Sequence, residues 1–212
     1  VALGEILWDV FRDSTRLGGA PLNFAVNLTR MGQEAILISA VGDDSLGRSA
    51  IETIEAFGLD TRLIGTTPQF PTGSALVQTD PSGRTEFRIQ RPAAYDAVNL
   101  TEDDLQWLAA RKPGWLYYGT LFTSTDHSRT ILHQLIDRLP NAIRFYDINL
   151  RPESYSEEQV RELLRLANVV KLNETEMKLA AEIAPSKATD ADIDVPCPEG
   201  LSYLGYQRAG IA

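Results

Sequence analysis

A chain of 212 residues with 43% apolar side chains can bury one generous hydrophobic core, as one domain or one domain with a small appendage. Its net charge of −9, from 29 acidic and 20 basic side chains with no basic block, argues against a nucleic-acid partner. There is no apolar run of bilayer length and no signal-peptide pattern, and the single Cys197 cannot form an internal disulfide, so we expect a cytoplasmic protein without a membrane partner.

Residues 2–8 are short and apolar, like a buried strand, and the more polar 10–17 suit an exposed one. Gly18-Gly19-Ala20-Pro21 then opens a helix over 22–31, with Leu22, Ala25, Val26 and Met31 at helical spacing and Pro21 where a missing N–H costs nothing. Gly32 stops it. The continuous apolar run 35–41 predicts a strand covered on both faces. Asp44 or Ser45 caps the next helix, which ends at Gly58.

Residues 73–79 and 84–90 are strand-like and joined by Asp80-Pro81-Ser82-Gly83, a hairpin turn signal. Strands over 115–118, 143–147 and 168–172 alternate with helices over 126–139, 156–167 and 174–183. Ser156 and Gln159 form a capping box for the second of these helices. Such alternation predicts an α/β fold with a mostly parallel sheet. The hairpin interrupts it, and with 10–17 predicts a small antiparallel sheet set apart as a lid. Residues 184–212 carry no regular pattern. From this decay, and from the start at Val1 inside an apolar run, we expect a chain that omits part of a larger molecule.

There is no P-loop, no Gly-x-Gly-x-x-Gly fingerprint and no Gly-x-Ser-x-Gly elbow, and His127 and His133 are badly spaced for zinc. Three other constellations carry chemistry. Asp9 followed by Gly18, Gly19 and Asn23 suits a polyhydroxy ligand, because a carboxylate accepts from two hydroxyls and bare backbone admits the ligand. The competing reading is a plain turn beside a solvated carboxylate.

Asp147, Asn149 and Arg151 leave the carboxyl end of a predicted parallel strand, where open α/β sheets bind ligands. If the strand persists, Asp147 and Asn149 share one side and face a cleft; otherwise the segment is a polar exit loop. Asn173 and Glu176 are spaced as a capping box, in which a glutamine would serve as well as the glutamate. Gly119 and Thr120 end another strand and are candidate cleft residues, whereas Trp8, Trp115, Tyr117 and Tyr118 suit core packing.

The run GGAPLNFAVNLTRMG followed by VGDDSLG resembles the first signature of the ribokinase-like (PfkB) carbohydrate kinases. YDINLRP and the Asn173-x-x-Glu176 pattern follow in that family's order, and with GEILWDVF they look most like fructokinases. The resemblance covers about residues 4–183. It implies a ribokinase-like three-layer sandwich with a small β lid, ATP and Mg2+ as cofactors, and transfer of the ATP γ-phosphate to a sugar. By that resemblance Asp9, Gly18, Gly19 and Asn23 hold the sugar, and Arg151 contacts substrate or phosphate. Asn173 and Glu176 serve phosphate and magnesium. Apart from the resemblance, we expect the lid's exposed edge or face to pair with a second copy, because unpaired strand edges invite association.

The family's later Asp-Thr-x-Gly-Ala-Gly-Asp signature, with its catalytic base and anion hole, is absent from these residues. Asp190, Asp192 and Asp194 lack that context, so the catalytic residue is unknown. A kinase for another sugar, a sugar acid or a nucleoside is the alternative within the fold. An inactive sugar-binding or regulatory homologue is the alternative outside the enzyme class.

Overall fold

Ala2 and Leu3 point to opposite sides of the chain, yet both are buried, which requires a strand covered on both faces. The computed structural model describes residues 1–79, 85–151, 154–183 and 205–208. Its strands are β1 (Ala2–Leu3), β2 (Leu7–Val10), β3 (Thr15–Gly18), β4 (Leu37–Gly42), β5 (Ile64–Thr67) and β6 (Gly73–Thr79). They continue as β7 (Thr85–Gln90), β8 (Trp115–Gly119), β9 (Ile143–Asp147), β10 (Val169–Leu172) and β11 (Gly205–Arg208). The helices are α1 (Ala20–Arg30), α2 (Ser45–Ala56), α3 (Glu102–Ala110), α4 (Asp126–Arg138), α5 (Glu157–Leu166) and α6 (Glu174–Ile183).

The body is a seven-stranded sheet in the order β11-β10-β9-β8-β1-β4-β5, parallel except for the β10–β11 pair. Helices α1 and α2 bury Leu22, Ala25, Val26, Ala50 and Ile54 against Ala2 and Leu37 on one face. Helices α3 to α6 pack on the other against Leu3, Ile38, Tyr118 and Tyr146. The mostly parallel sheet is the one the alternation predicts, and the three layers are those the family resemblance implies. Among the described residues no helix is long and apolar enough to cross a membrane.

The second sheet has the order β3-β2-β6-β7. It is the expected small sheet, with two corrections: β2 and β6 pair in parallel, so the sheet is mixed rather than wholly antiparallel, and 10–17 is not one strand but the end of β2, a turn over 11–14 and most of β3. Both strands leave the body in the same direction, which fixes their relative sense. The apolar run 2–8 also proves to be two strands, because the chain breaks at Gly4-Glu5-Ile6 to pass from the body sheet into the lid. Leu7 and Ala75 of the lid pack with Leu121 of the body, and Ile89 lies against them. Asp9 shares the inward face of β2 with Leu7. The turn at 80–83 lies outside the described residues, as do all of 184–212 except β11.

Besides β11, β5 and α3 lie where the sequence pattern leaves the chain unassigned. Strand β5 is short and half polar, and α3 is announced only by the reciprocal box between Thr101 and Asp104. Trp115 is not a core residue: it is 47% exposed at the start of β8, with its ring edge-on to Phe145.

The join between lid and body rests on Asp44. Its carboxylate accepts from Gly47 N–H at 2.7 Å, Thr72 N–H at 2.8 Å and the Thr72 hydroxyl at 2.7 Å, so it caps α2 and holds the residue that opens β6. Burial alone would raise its pKa, but the Thr72 and Gly47 hydrogen bonds, aided by Arg48, hold it below the usual range. Asp44→Ala should therefore cost roughly 2 kcal/mol in urea unfolding at neutral pH. A depressed carboxylate pKa stabilises above the unfolded value and loses that contribution as pH falls, so the gap between the two proteins should narrow below about pH 4.

Candidate active site

The order of strands in the body sheet reverses beside β1: the chain passes from β1 to β4 on one side and later returns to β8 on the other. Ligands of open α/β sheets bind beyond the carboxyl ends of the strands at such a reversal. Here the lid rises directly from the carboxyl end of β1, and α1 begins beside it. The crevice is thus bounded by the 4–6 segment, β2, the diglycine turn and the loop after β9.

Asp9 lies on β2, a strand of the lid rather than of the body. Burial raises its pKa, and Arg151 opposes that shift. A Cβ on Gly18 would come within 2.7 Å of Asp9 Oδ2, so the bare backbone there is what the carboxylate packs against. Gly19 has φ +116°, and a Cβ would meet the Glu5 carbonyl oxygen at 2.3 Å. Only glycine fits that position. Asn23, in the first turn of α1, is exposed; its backbone N–H donates to the Gly19 carbonyl, and its side-chain amide has no hydrogen-bond partner among the described residues.

Glu5 is the site residue that sequence reasoning missed. It is 4% exposed, its Oε1 accepts from Ala20 N–H at 3.1 Å, and its Oε2 is buried without a partner. Gly19 offers no side-chain cap to α1, so Glu5 takes over part of that role from a distance. Burial pushes its pKa up to about 7, against the opposing hydrogen bonds from backbone at Glu5 and Ala20. A single glutamate inside an apolar run was the available signal, since such a residue is seldom fully buried without cause.

Arg151 carries its guanidinium over the Phe87 ring of β7, 5.3 Å from the centroid, so body and lid meet across the site at this pair. Its hydrogen bond to the Leu150 carbonyl is long, at 3.5 Å. Asp147 does not open onto the cleft as a free carboxylate. It is buried, accepts from the Tyr117 hydroxyl at 2.7 Å, and pairs with Lys171 Nζ at 2.9 and 3.0 Å. The strand ends there, and Asn149 has φ +37°, so Asp147 and Asn149 do not share a side as a continuing strand would require. Thr120 is likewise occupied in the interior, with Tyr146 Oη at 2.7 Å and the Ile148 carbonyl at 2.5 Å.

Asn173 and Glu176 make the reciprocal box the spacing predicts: Asn173 Oδ1 accepts from Glu176 N–H at 2.9 Å, and Glu176 Oε2 from Asn173 N–H at 2.8 Å. Glu176 Oε1 has a further partner, the Leu150 N–H at 2.9 Å. One buried carboxylate therefore ties the start of α6 to the loop that carries Arg151. Among the described residues no three His, Cys, Asp or Glu side chains cluster as direct metal ligands. Asn173 and Glu176 spend their side-chain oxygens on backbone N–H groups, so a cation here would meet them through water rather than by direct ligation.

The chain is 31% identical over 204 residues to a fructokinase from Escherichia coli, a match covering 90% of this chain and 64% of the relative. It is 31% identical over 189 residues to a fructokinase from Salmonella typhimurium, covering 82% and 60%. The chain thus spans less than two thirds of the length of these relatives. The solved structure of an uncharacterized sugar kinase from Pyrococcus horikoshii superposes with a TM-score of 0.75 at 26% identity, covering 85% of this chain and 64% of that one. The same protein is also solved in complex with ATP, with a TM-score of 0.72 at 27% identity. The family model described as pfkB family carbohydrate kinase matches residues 3–194, and the chain belongs to that family.

Proposed function

We propose that this chain supplies the sugar-binding part of an ATP-dependent sugar kinase whose acceptor is fructose. The observation that carries this reading is the convergence of Asp9, the Gly18-Gly19 turn and Arg151 under a lid at the strand-order reversal. Asp9 accepts hydrogen bonds from two sugar hydroxyls, and Asn23 adds a donor and an acceptor from the first turn of α1. Arg151 offers a fixed cation to the substrate or to the transferred phosphoryl group.

Phosphoryl transfer depends on positioning and on neutralising the charge of the group in flight. The residues described here perform the positioning: the lid excludes water once Phe87 and Arg151 close over the sugar, and the turn fixes its depth. Asn173 and Glu176 would hold Mg2+ through water, and the cation would supply charge neutralisation at the ATP phosphates. No described side chain is assigned as the base. The outward face of the lid, where Leu76 is 37% exposed, is the surface we assign to pairing with a second copy.

The test is ATP-dependent phosphorylation of fructose by the full-length protein, with other sugars, sugar acids and nucleosides as comparison acceptors. Transfer to fructose in preference to these supports the reading, and binding without transfer favours a sugar-binding homologue. In the same protein Asp9→Ala should weaken fructose binding by about 1–3 kcal/mol, the cost of leaving buried hydroxyl partners unpaired. Calorimetry showing unchanged affinity in a folded Asp9→Ala protein would remove Asp9 from the site.

A further inference from the structure

Glu5 lies between β1 of the body and β2 of the lid, beside the start of α1, and the proposed function leaves its buried carboxyl group unused. Its two oxygens are not equivalent. Oε1 receives the Ala20 N–H, whereas Oε2 is buried with no donor to meet it. A buried carboxylate with one oxygen left unpartnered carries a large desolvation cost, and the neutral acid carries much less.

The groups around it reinforce this. Asp147 at the end of β9, itself paired with Lys171, adds a negative charge that disfavours ionisation of Glu5, and the Arg151 charge in the next loop opposes it together with the backbone hydrogen bonds. Tyr95 and Tyr117 also feel the Glu5 charge. Both are buried, Tyr117 donates to Asp147, and the Tyr95 hydroxyl has no partner among the described residues. From α1 the neighbours are Ala20 and Pro21, which carry no charge. From the lid, Asp9 shares Arg151 with Glu5 as a source of compensating charge.

Resting on the sugar-site reading above, we propose that Glu5 is a positioning residue of the sugar site that works as a neutral acid. Neutral, it fastens the N-terminus of α1 and the Gly18-Gly19 turn while leaving Arg151 to face Asp9 and the sugar. Ionised, it competes with Asp9 for Arg151, whose present contacts are a long carbonyl hydrogen bond and an aromatic face rather than an ion pair among the described residues. Arg151 is then drawn from the ligand, and sugar affinity falls as pH rises. The raised pKa of Glu5, about 7, places this transition near neutrality.

The experiment compares wild type, Glu5→Gln and Glu5→Ala in the full-length protein, with D-fructose binding measured by calorimetry. If only the neutral form binds well, the wild-type Kd should rise about tenfold between pH 6 and pH 8, following the neutral fraction. Glu5→Gln keeps the acceptor for Ala20 N–H and cannot ionise, so its Kd should stay near the low-pH wild-type value throughout. Glu5→Ala loses the clamp and should bind weakly at every pH.

Thermal melts give a second readout. A carboxyl group whose pKa is raised on folding stabilises fully below its unfolded value, and that contribution is lost as pH rises through the folded value. The melting temperature of wild type relative to Glu5→Gln should therefore fall between about pH 4.5 and 7, then level off. A Glu5→Gln protein whose Kd follows the wild-type pH profile would overturn the proposal, as would a melting gap independent of pH. Binding that follows the predicted profile without phosphoryl transfer would leave Glu5 in place and remove the kinase reading. Transfer with an unaltered Glu5→Gln profile would do the reverse.

Discussion

Replacing Lys171 by methionine should cost about 3 kcal/mol of folding stability. The ammonium group pairs with both oxygens of Asp147, whose side chain is 7% exposed. Methionine keeps most of the packing volume but leaves a buried carboxylate with the Tyr117 hydroxyl as its one remaining partner. Breaking a buried pair from one side typically costs about 3–5 kcal/mol, and the partial exposure of Lys171 places this pair at the low end. The double variant Asp147→Asn with Lys171→Met removes the orphaned charge and should recover most of the loss. A double-mutant cycle from urea unfolding measures both quantities. An additive cycle would show that the pair contributes nothing to the fold, and would return Asp147 to the cleft as a candidate ligand group.

That pair also shows what the sequence can and cannot display. The alternation of apolar runs with capped helices is local, and it announced β4, β9, α4, α5 and α6 nearly to the residue. The partners of a side chain are not local. Asp147 reads as a polar residue at a strand exit, and only the parallel register of β9 with β10, Asp147 beside Lys171, reveals the ion pair. Glu5 escaped for the same reason, since its partner Ala20 is 15 residues away across the lid hairpin. The break between β1 and β2 was equally hidden, because one apolar run supplies strands to two different sheets. The diglycine and Asp9 were legible because close backbone approach leaves glycine no substitute. The depth at which Asp9 sits, and its being on the lid, belong to the tertiary fold alone.

Glu176 joins these two themes, because a local motif proves to have a distant partner. As a capping box alone, Asn173 and Glu176 would tolerate glutamine at little cost, since its amide oxygen can accept the Asn173 N–H. The structure gives the carboxylate a second donor, the Leu150 N–H from a loop 26 residues earlier in the chain. Glutamine has one acceptor oxygen for these two N–H groups, and its amide nitrogen would face whichever is left over. We therefore expect Glu176→Gln to lower stability by about 1–2 kcal/mol. Glu176→Ala, which orphans both donors in a buried setting, should cost roughly 3–4 kcal/mol on the same reasoning. Because Leu150 precedes Arg151, the alanine variant should also weaken sugar binding, since the loop carrying the guanidinium loses its tether. Thermal melts and fructose calorimetry on the full-length variants measure the two effects. A Glu176→Gln protein as stable as wild type would show that the Leu150 contact is not maintained in solution. In that case a raised magnesium requirement for phosphoryl transfer would become the measure of what the carboxylate does.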